Sequence, residues 1–394
     1  MSETFCVLPW MHLATHPNGG ASLCCRSNHT NAISWAKKAG SSDLMLLDND
    51  QINDVINSET FVRVREQMLN LQRPVECEGC WQDEDAGLES KRQYENKRWK
   101  HVIPLLEQKA EITKPKYTYL ELRLGNTCNS ACITCNSYSS SKWYRDEVVL
   151  SKELSWFNLR KLENFKWFED TEFYKKLFAL SKDVEEIYIN GGEPTLIEAH
   201  FTLLKKLIRS SQSRNIHLVY SLNLTNMPDE FLDLLKHFKK VTINCSIDDI
   251  DERNFYIRWP SKWSSILANI DKINKILTVD WHVTQTVSIL NIGNLDMFRN
   301  WLLEKYNKEP GHNYVLYPNF LSVEAIPESY KKELVKKYKK TLNDHQYKDL
   351  CGKLSIKHDP LLTQQALEFI TTLDQSRKLD YKKYVPDLDK VFLQ

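Results

Sequence analysis

The sequence predicts an α/β protein built on a partial (β/α)6 barrel, preceded by a cysteine-rich domain and followed by a helical extension. Three observations predict it. From Tyr117 onward, short β-type runs alternate with helical segments, the signature of parallel βα units. Each run alternates apolar and polar residues instead of reading as apolar throughout. Eight of the ten cysteines fall within the first 135 residues.

Strands are expected near 117–124, 185–190, 216–225, 240–248, 280–289 and 313–318. Helices are expected at Ala199–Ser210, Pro228–Lys239, Ser261–Ile276 and Leu295–Lys305. Six units without a seventh and eighth give an open, TIM-like barrel. In the first strand Leu120, Leu122 and Leu124 alternate with Glu121 and Arg123; in the fourth, Val241, Ile243, Cys245 and Ile247 alternate with Thr242, Asn244, Ser246 and Asp248. Successive side chains on a strand point to opposite faces, so each strand has one apolar and one polar side. Parallel sheets rarely leave a face bare, and a polar lumen accounts for the pattern. Cys245 falls on the apolar side and is expected as a buried thiol. The long first crossover, residues 136–184, carries Trp143, Trp156 and Trp167 and is expected to add helices.

The first region, to about residue 110, opens with Cys6-Val-Leu-Pro9-Trp10. Asn18-Gly19-Gly20 then forms a hairpin turn, because these residues tolerate positive φ, and brings Cys6 near Cys24. A helix is expected over Phe61–Leu71, ending before Pro74, and Cys77-Glu-Gly-Cys80 follows. Cys6, Cys24, Cys77 and Cys80 make a four-thiolate set suited to structural zinc or to an iron–sulfur cluster. Cys25 is expected as a buried small hydrophobe; His12 and His16 near Cys6 could be ligands, but scattered histidines are more often structural. Cys351 has no evident partner.

Composition narrows the function classes. With 394 residues, 42% apolar and 27% charged, the chain can bury a full core. A net charge of +1 gives no electrostatic argument for nucleic acid or an anionic membrane. No apolar run approaches the roughly 18 residues of a membrane span, and Met-Ser-Glu-Thr-Phe-Cys lacks the regions of a signal peptide. The expected location is the cytoplasm, where clustered thiols are metal ligands or catalytic groups.

Cys128-Asn-Ser-Ala-Cys132-Ile-Thr-Cys135 directly follows the first barrel strand. Thiolates so close in one loop can converge on one soft metal centre. Three ligands, and not four, leave one iron of a four-iron cubane open to a small molecule. Gly191-Gly192-Glu193-Pro194 follows the second strand at the edge where βα loops build sites; two glycines let backbone approach a ligand closely.

Together these residues resemble the radical S-adenosylmethionine (radical SAM) superfamily. The resemblance implies a core [4Fe-4S] cluster on Cys128, Cys132 and Cys135 that chelates SAM, and a SAM ammonium held by Gly191, Gly192, Glu193 and Pro194. It implies further SAM contacts from Asn226 after the third strand, and from Ser246, Asp248 and Arg258 after the fourth. Reductive cleavage of SAM would yield methionine and a 5′-deoxyadenosyl radical that abstracts hydrogen from substrate. Thr134 departs from the family, which often has an aromatic residue there beside the adenine; Tyr138 is the candidate substitute. Cys6-x2-Pro9-Trp10 with Asn18-Gly19 and Leu23-Cys24-Cys25 resembles twitch domains, related to SPASM domains, and implies a second, auxiliary [4Fe-4S] cluster.

On this reading the chain divides into a twitch-like domain (1–110), a radical SAM core (115–325) and a helical extension (326–394). The expected partners are a reductant such as flavodoxin or ferredoxin and a peptide or small polar substrate. The competing readings are a non-catalytic zinc or iron–sulfur protein and a degenerate homologue that binds SAM without turnover.

Overall fold

The protein is described as a computed structural model covering residues 3–160, 163 and 165–393. Eight strands form one sheet in the order β2-β1-β3-β4-β5-β6-β7-β8. They are β1 (His12–Thr15), β2 (Ala21–Ser22), β3 (Tyr119–Arg123), β4 (Glu186–Asn190), β5 (His217–Leu222), β6 (Lys240–Ser246), β7 (Val279–Val287) and β8 (Gly311–Tyr314). β1 pairs with β3, β3 with β4, β4 with β5 and β7 with β8 in parallel, and β1 with β2 as an antiparallel hairpin. β3 to β8 are the six expected strands, and the α/β class follows.

Three boundaries differ from the expected ones for local reasons. β5 stops at Leu222 because Leu224 takes a φ of 60° and the Asn223 side chain accepts the Thr225 N–H at 2.9 Å. That side-chain bond offers the backbone a turn in place of a further ladder rung. β6 ends at Ser246, and Asp248 beyond it is held by side-chain bonds. β8 lies two residues early, at Gly311–Tyr314, ahead of Pro318, which has no N–H to give. The expected helices are present as Phe201–Arg209, Asp229–Leu235, Trp263–Ile273 and Leu295–Tyr306, and the crossover adds Tyr144–Glu153 and Thr171–Ala179.

Burial follows the alternation read from the sequence. In β5, Leu218, Tyr220 and Leu222 are buried while His217, Val219 and Ser221 are half-buried. In β6, Val241, Ile243 and Cys245 are buried between half-buried Thr242, Asn244 and Ser246. Glu121 is an exception on the polar side, only 1% exposed.

The chain forms two compact units. The first runs through Gly125 and includes Phe165–Tyr220 and Asp233–Val241; the second comprises 126–164, Ser221–Leu232 and the chain from Thr242 onward. In the first, β1 does more than close a hairpin: it pairs with β3, placing His12 opposite Tyr119 and Ala14 opposite Glu121. The helix Glu59–Leu69 buries Phe61, Val64, Arg65 and Met68. Arg65 is wholly buried without a carboxylate, and donates instead to the carbonyls of Pro9 (2.9 Å), Ile56 (2.6 Å) and Ala110 (2.6 Å). A guanidinium has five fixed donors, so one side chain ties three backbone segments together. The second unit buries Trp143, Leu150, Ile257, Val287, Phe369 and Ile370 in one cluster, to which the C-terminal helix Pro360–Arg377 contributes much of one side. No helix among the described residues is long and apolar enough to cross a membrane.

His200 gives this packing a pH dependence. Its ring is fully buried, with Nδ1–H donated to the Ile197 carbonyl at 2.6 Å and Nε2 at 3.1 Å from the Tyr220 hydroxyl. Burial lowers its pKa from 6.5 to about 4. The neutral ring therefore stabilises the fold in full above the unfolded value, and the contribution is lost as pH falls toward 4. The loss amounts to about 3 kcal/mol, at about 1.4 kcal/mol per pH unit. Urea unfolding at pH 7 and at pH 4.5 should show a smaller drop in His200→Phe than in the parent chain. An equal drop in both would show that the ring charges without cost.

Candidate functional site

The three-cysteine loop lies in the second unit and has no strand of its own to define it. It borrows one. Ala131 donates its N–H to the Trp259 carbonyl at 2.7 Å and Ile133 to the Ile257 carbonyl at 2.8 Å, so the loop runs beside the end of the helix Asp251–Ile257. The carbonyls are taken as well: Trp143 Nε1 donates to Cys132 at 2.9 Å, Arg377 Nη2 to Ala131 at 2.9 Å and Ser140 Oγ to Ser130 at 2.6 Å. Asn223 Nδ2 donates to Asn129 Oδ1 at 2.8 Å, and Asn129 Nδ2 donates to Thr225 Oγ1 at 2.8 Å. These bonds bring the turn that carries Asn226 against the loop.

Of the three thiols, Cys132 is buried and Cys128 and Cys135 are half-buried. Burial pushes Cys135 up to about 12, and Cys132 and Cys128 beside it push the same way. Burial also raises Cys132, opposed by the Arg258 guanidinium. Thiols held in this way lose their protons readily only to a metal, because a coordinated thiol is deprotonated outright.

Arg258 is the cation that faces them. Burial opposes its charge, yet Cys132 and Asp248 nearby hold it charged. Asp248, with no exposed surface, accepts Arg258 Nη1 at 2.8 Å on one oxygen and the Thr286 N–H at 2.7 Å on the other. Its backbone carbonyl accepts Gln285 at 2.9 Å and Asn291 at 2.8 Å. Ser246 sits two residues earlier, half-buried on the same side of its strand. Cys128, Cys132, Cys135, Asp248 and Arg258, with the turn bearing Asn226, are thus brought together within one unit.

Gly191–Pro194 belongs to the first unit. Gly191 and Gly192 have φ of 84° and 49°. A Cβ on Gly191 would lie 2.9 Å from the Leu124 nitrogen, so only glycine lets this turn close on the end of β3. Glu193 is 1% exposed and accepts Thr195 Oγ1 at 2.8 Å. The side-chain oxygen of Asn190, just before the turn, is buried without a partner among the described residues.

The first unit also gathers the other thiols. Cys77 senses Cys6, Cys24 and Cys80 as charged neighbours, after a larger upward push from burial. Burial raises Cys6 to about 12. Arg92 Nη1 and Asn96 Nδ2 both donate to the Phe5 carbonyl at 2.7 Å, and Val7 N–H donates back to Asn96 at 2.8 Å, fixing the Cys6 turn to the helix Lys91–Arg98. Asn28 N–H reaches the Glu76 carbonyl at 2.7 Å and ties the Cys24 turn to the Cys77 turn. Among the described residues, no group of three or more His, Cys, Asp or Glu stands in an array that would hold a metal ion.

Several residues differ from expectation. Cys25 does not sit among apolar groups: its thiol faces the Glu121 carboxyl, because the β1–β3 pairing lays residues 24–25 beside that side chain. His12 and His16, by contrast, take the structural role expected of scattered histidines, as neutral groups. Burial lowers them to about 3 and about 2; His12 Nδ1 donates to the Leu23 carbonyl, and His16 stacks on Trp35 at 3.9 Å. Cys351 does have a neighbour, the Tyr347 hydroxyl one turn back on the helix Asp344–Leu354. Sequence reasoning missed Arg377, Asp146, Asn223 and Glu147, which shape the three-cysteine loop from a distance along the chain. Glu147 accepts Ser137 N–H at 2.7 Å and Ser137 Oγ at 2.8 Å, just past Cys135.

A double-mutant cycle tests the Asp248–Arg258 pair. Asp248→Ala leaves a nearly buried cation unpaired and should cost about 3–5 kcal/mol of unfolding free energy. Adding Arg258→Met should recover part of it. Additive losses would show that the pair is not coupled.

Comparison with known proteins places this geometry. Residues 122–301 match the family model described as Radical SAM superfamily. The chain is similar to GTP 3′,8-cyclase of Haemophilus ducreyi, 25% identical over 201 residues, covering 48% of this chain and 51% of that protein. It is also similar to the sporulation killing factor maturation protein SkfB of Bacillus subtilis, 30% identical over 158 residues, covering 39% of this chain and 33% of that protein. The chain thus spans about half of one of these curated relatives and a third of the other. Among solved structures, anSMEcpe with bound AdoMet and Cp18Cys peptide matches with a TM-score of 0.40 at 18% identity, covering 62% of this chain and 63% of that one. Streptococcus suis SuiB bound to precursor peptide SuiA matches with a TM-score of 0.36 at 14% identity, covering 88% and 71%. The loop that gathers Cys128, Cys132, Cys135 and Arg258 lies wholly inside the matched segment, and residues 122–301 are a Radical SAM superfamily domain.

Proposed function

We propose that this chain is a two-cluster radical SAM enzyme that abstracts hydrogen from a peptide substrate in the cytoplasm. The observation that carries the reading is the three-thiol loop, pinned beside Arg258 inside the radical SAM segment. In residue type and spacing, though not as a closed array, the thiols match the groups that the family implies. Three soft thiols gathered in one loop suit a cubane with one open iron. When bound, that cluster supplies the electron that splits SAM into methionine and a 5′-deoxyadenosyl radical.

The chain's own residues bind and orient. Cys128, Cys132 and Cys135 hold the core cluster. Gly191, Gly192, Glu193 and Pro194 hold the SAM ammonium, with Glu193 already fixed by Thr195. Arg258, steadied by Asp248, offers its guanidinium to a carboxylate; Ser246 and Asn226 offer a hydroxyl and an amide to the ribose. Cys6, Cys24, Cys77 and Cys80 hold the auxiliary cluster, within a domain of residues 1–110 ahead of a core at 115–325 and an extension at 326–394. The peptide assignment draws its support from the 30% identity to a maturation protein. The half-buried Thr242, Asn244 and Ser246 line, in β6, a polar side suited to a hydrogen-bonding substrate.

Anaerobically prepared chain should be brown and bind about eight irons, the content of two cubanes. Replacing Cys128, Cys132 and Cys135 by alanine should remove about half the iron and abolish dithionite-dependent 5′-deoxyadenosine. Replacing Cys6, Cys24, Cys77 and Cys80 should remove the other half. Colourless, zinc-loaded protein, or 5′-deoxyadenosine from the first variant, would overturn the assignment.

A further inference from the structure

The second unit has a basic cavity on the outer side of the three-cysteine loop. Its volume is about 490 Å3, and its described lining includes Lys142, Arg145, Arg377 and Lys378 against a single carboxylate, Asp146. Asp146 is already spent on Arg377, which it binds at 2.9 Å through Nε and 2.8 Å through Nη2. Lys142, Arg145 and Lys378 are exposed, and among the described residues none of the three forms an ion pair. In a chain whose net charge is only +1, this is a local concentration of positive charge without internal partners.

What lies beneath that charge is the second observation. Arg377 is sandwiched at 4.9 Å from Trp143 and 4.7 Å from Trp259. Each of these three residues touches the cysteine loop: the Arg377 side chain donates to the Ala131 carbonyl, the Trp143 side chain donates to the Cys132 carbonyl, and the Trp259 backbone carbonyl accepts from Ala131. One layer of side chains therefore separates the basic surface from the backbone of Cys132. Arg377 Nη1 is buried without a hydrogen-bond partner among the described residues, while Asp146 meets the charge of the guanidinium, so the unpaired positive charge of this face is that of Lys142, Arg145 and Lys378.

We propose that this face docks the protein that reduces the core cluster, a one-electron carrier with an acidic surface. The inference rests on the core cluster proposed above. Complementary charge steers such a carrier to the site and orients it. Long exposed cations on two separate elements, the 141–153 segment and the end of the helix Pro360–Arg377, suit a broad acidic surface better than a small anion, which needs a closed set of donors. On docking no bond forms or breaks. The carrier is oxidised by one electron, the cluster is reduced by one, and the route crosses the Arg377–Trp143 layer to Cys132.

The test uses the whole cluster-loaded chain and a reduced bacterial flavodoxin of strongly negative net charge. Two combined variants are made: Lys142→Glu/Arg145→Glu/Lys378→Glu, and the neutral Lys142→Gln/Arg145→Gln/Lys378→Gln. Flavodoxin affinity by surface plasmon resonance should fall about tenfold or more in the charge-reversed variant and less in the neutral one, with differences shrinking as salt rises. Flavodoxin-driven 5′-deoxyadenosine formation should fall in step, while the rate with dithionite stays within about twofold of the parent chain, since a small reductant needs no docking face. Unchanged affinity, or equal losses with both reductants, would overturn the proposal. If the parent chain makes no 5′-deoxyadenosine even with dithionite, the enzyme reading fails, and the affinity measurement still decides the docking surface by itself.

Discussion

Two backbone bonds, Ala131 to Trp259 and Ile133 to Ile257, are the constraint on which the three-cysteine loop depends. A loop that must present three thiols cannot also be a regular strand, since alternation would send neighbouring side chains to opposite faces. It still has donors and acceptors to satisfy, and burial makes each one left unpaired expensive. The segment 257–259 supplies the acceptors and Trp143, Ser140 and Arg377 supply the donors. The thiols themselves make only local bonds: Cys128 Sγ accepts the Ser130 N–H at 3.5 Å and Cys135 Sγ donates to the Asn136 carbonyl at 3.7 Å. Ile257, which accepts the Ile133 N–H, is the residue next to Arg258, so the bond that shapes the loop also sets the cation opposite it.

Arg377 illustrates what such a device costs. A buried guanidinium is stable only with partners, and it has Asp146, the Ala131 carbonyl and two indole faces. The last turn of the helix Pro360–Arg377 is thereby built into the wall of the three-cysteine loop, even though its residues lie more than two hundred positions from it. An extension with this role is part of what shapes the loop and not an appendage to it.

The barrel strands were legible because their periodicity is a local property: alternation in five-to-nine-residue runs survives into burial, as β5 and β6 demonstrate. The thiol motifs were legible for the same reason, being short and close in sequence. What sequence could not announce were contacts made by residues without a motif. Nothing around Arg377, Asp146 or Asn223 distinguishes them from surface polar residues until the fold brings them to the loop. Strand ends were misjudged where a side chain competed with the ladder, as Asn223 does at the end of β5. Cys25 was misjudged because its surroundings are set by a neighbour nearly one hundred residues away, Glu121.

The parallel pairing of β1 with β3 bears on how the molecule comes to be folded. A hairpin between β1 and β2 is local and closes quickly, but the β1 edge finds its partner only after β3 has been made, with His12 meeting Tyr119. Contacts of such long separation are slow to form, because chain entropy must be lost before they are rewarded. During that interval Cys24 and Cys25 lie on an open edge, exposed to oxidation or to the wrong metal. Docking of the hairpin is thus also the event that half-buries these thiols and brings Cys25 beside Glu121.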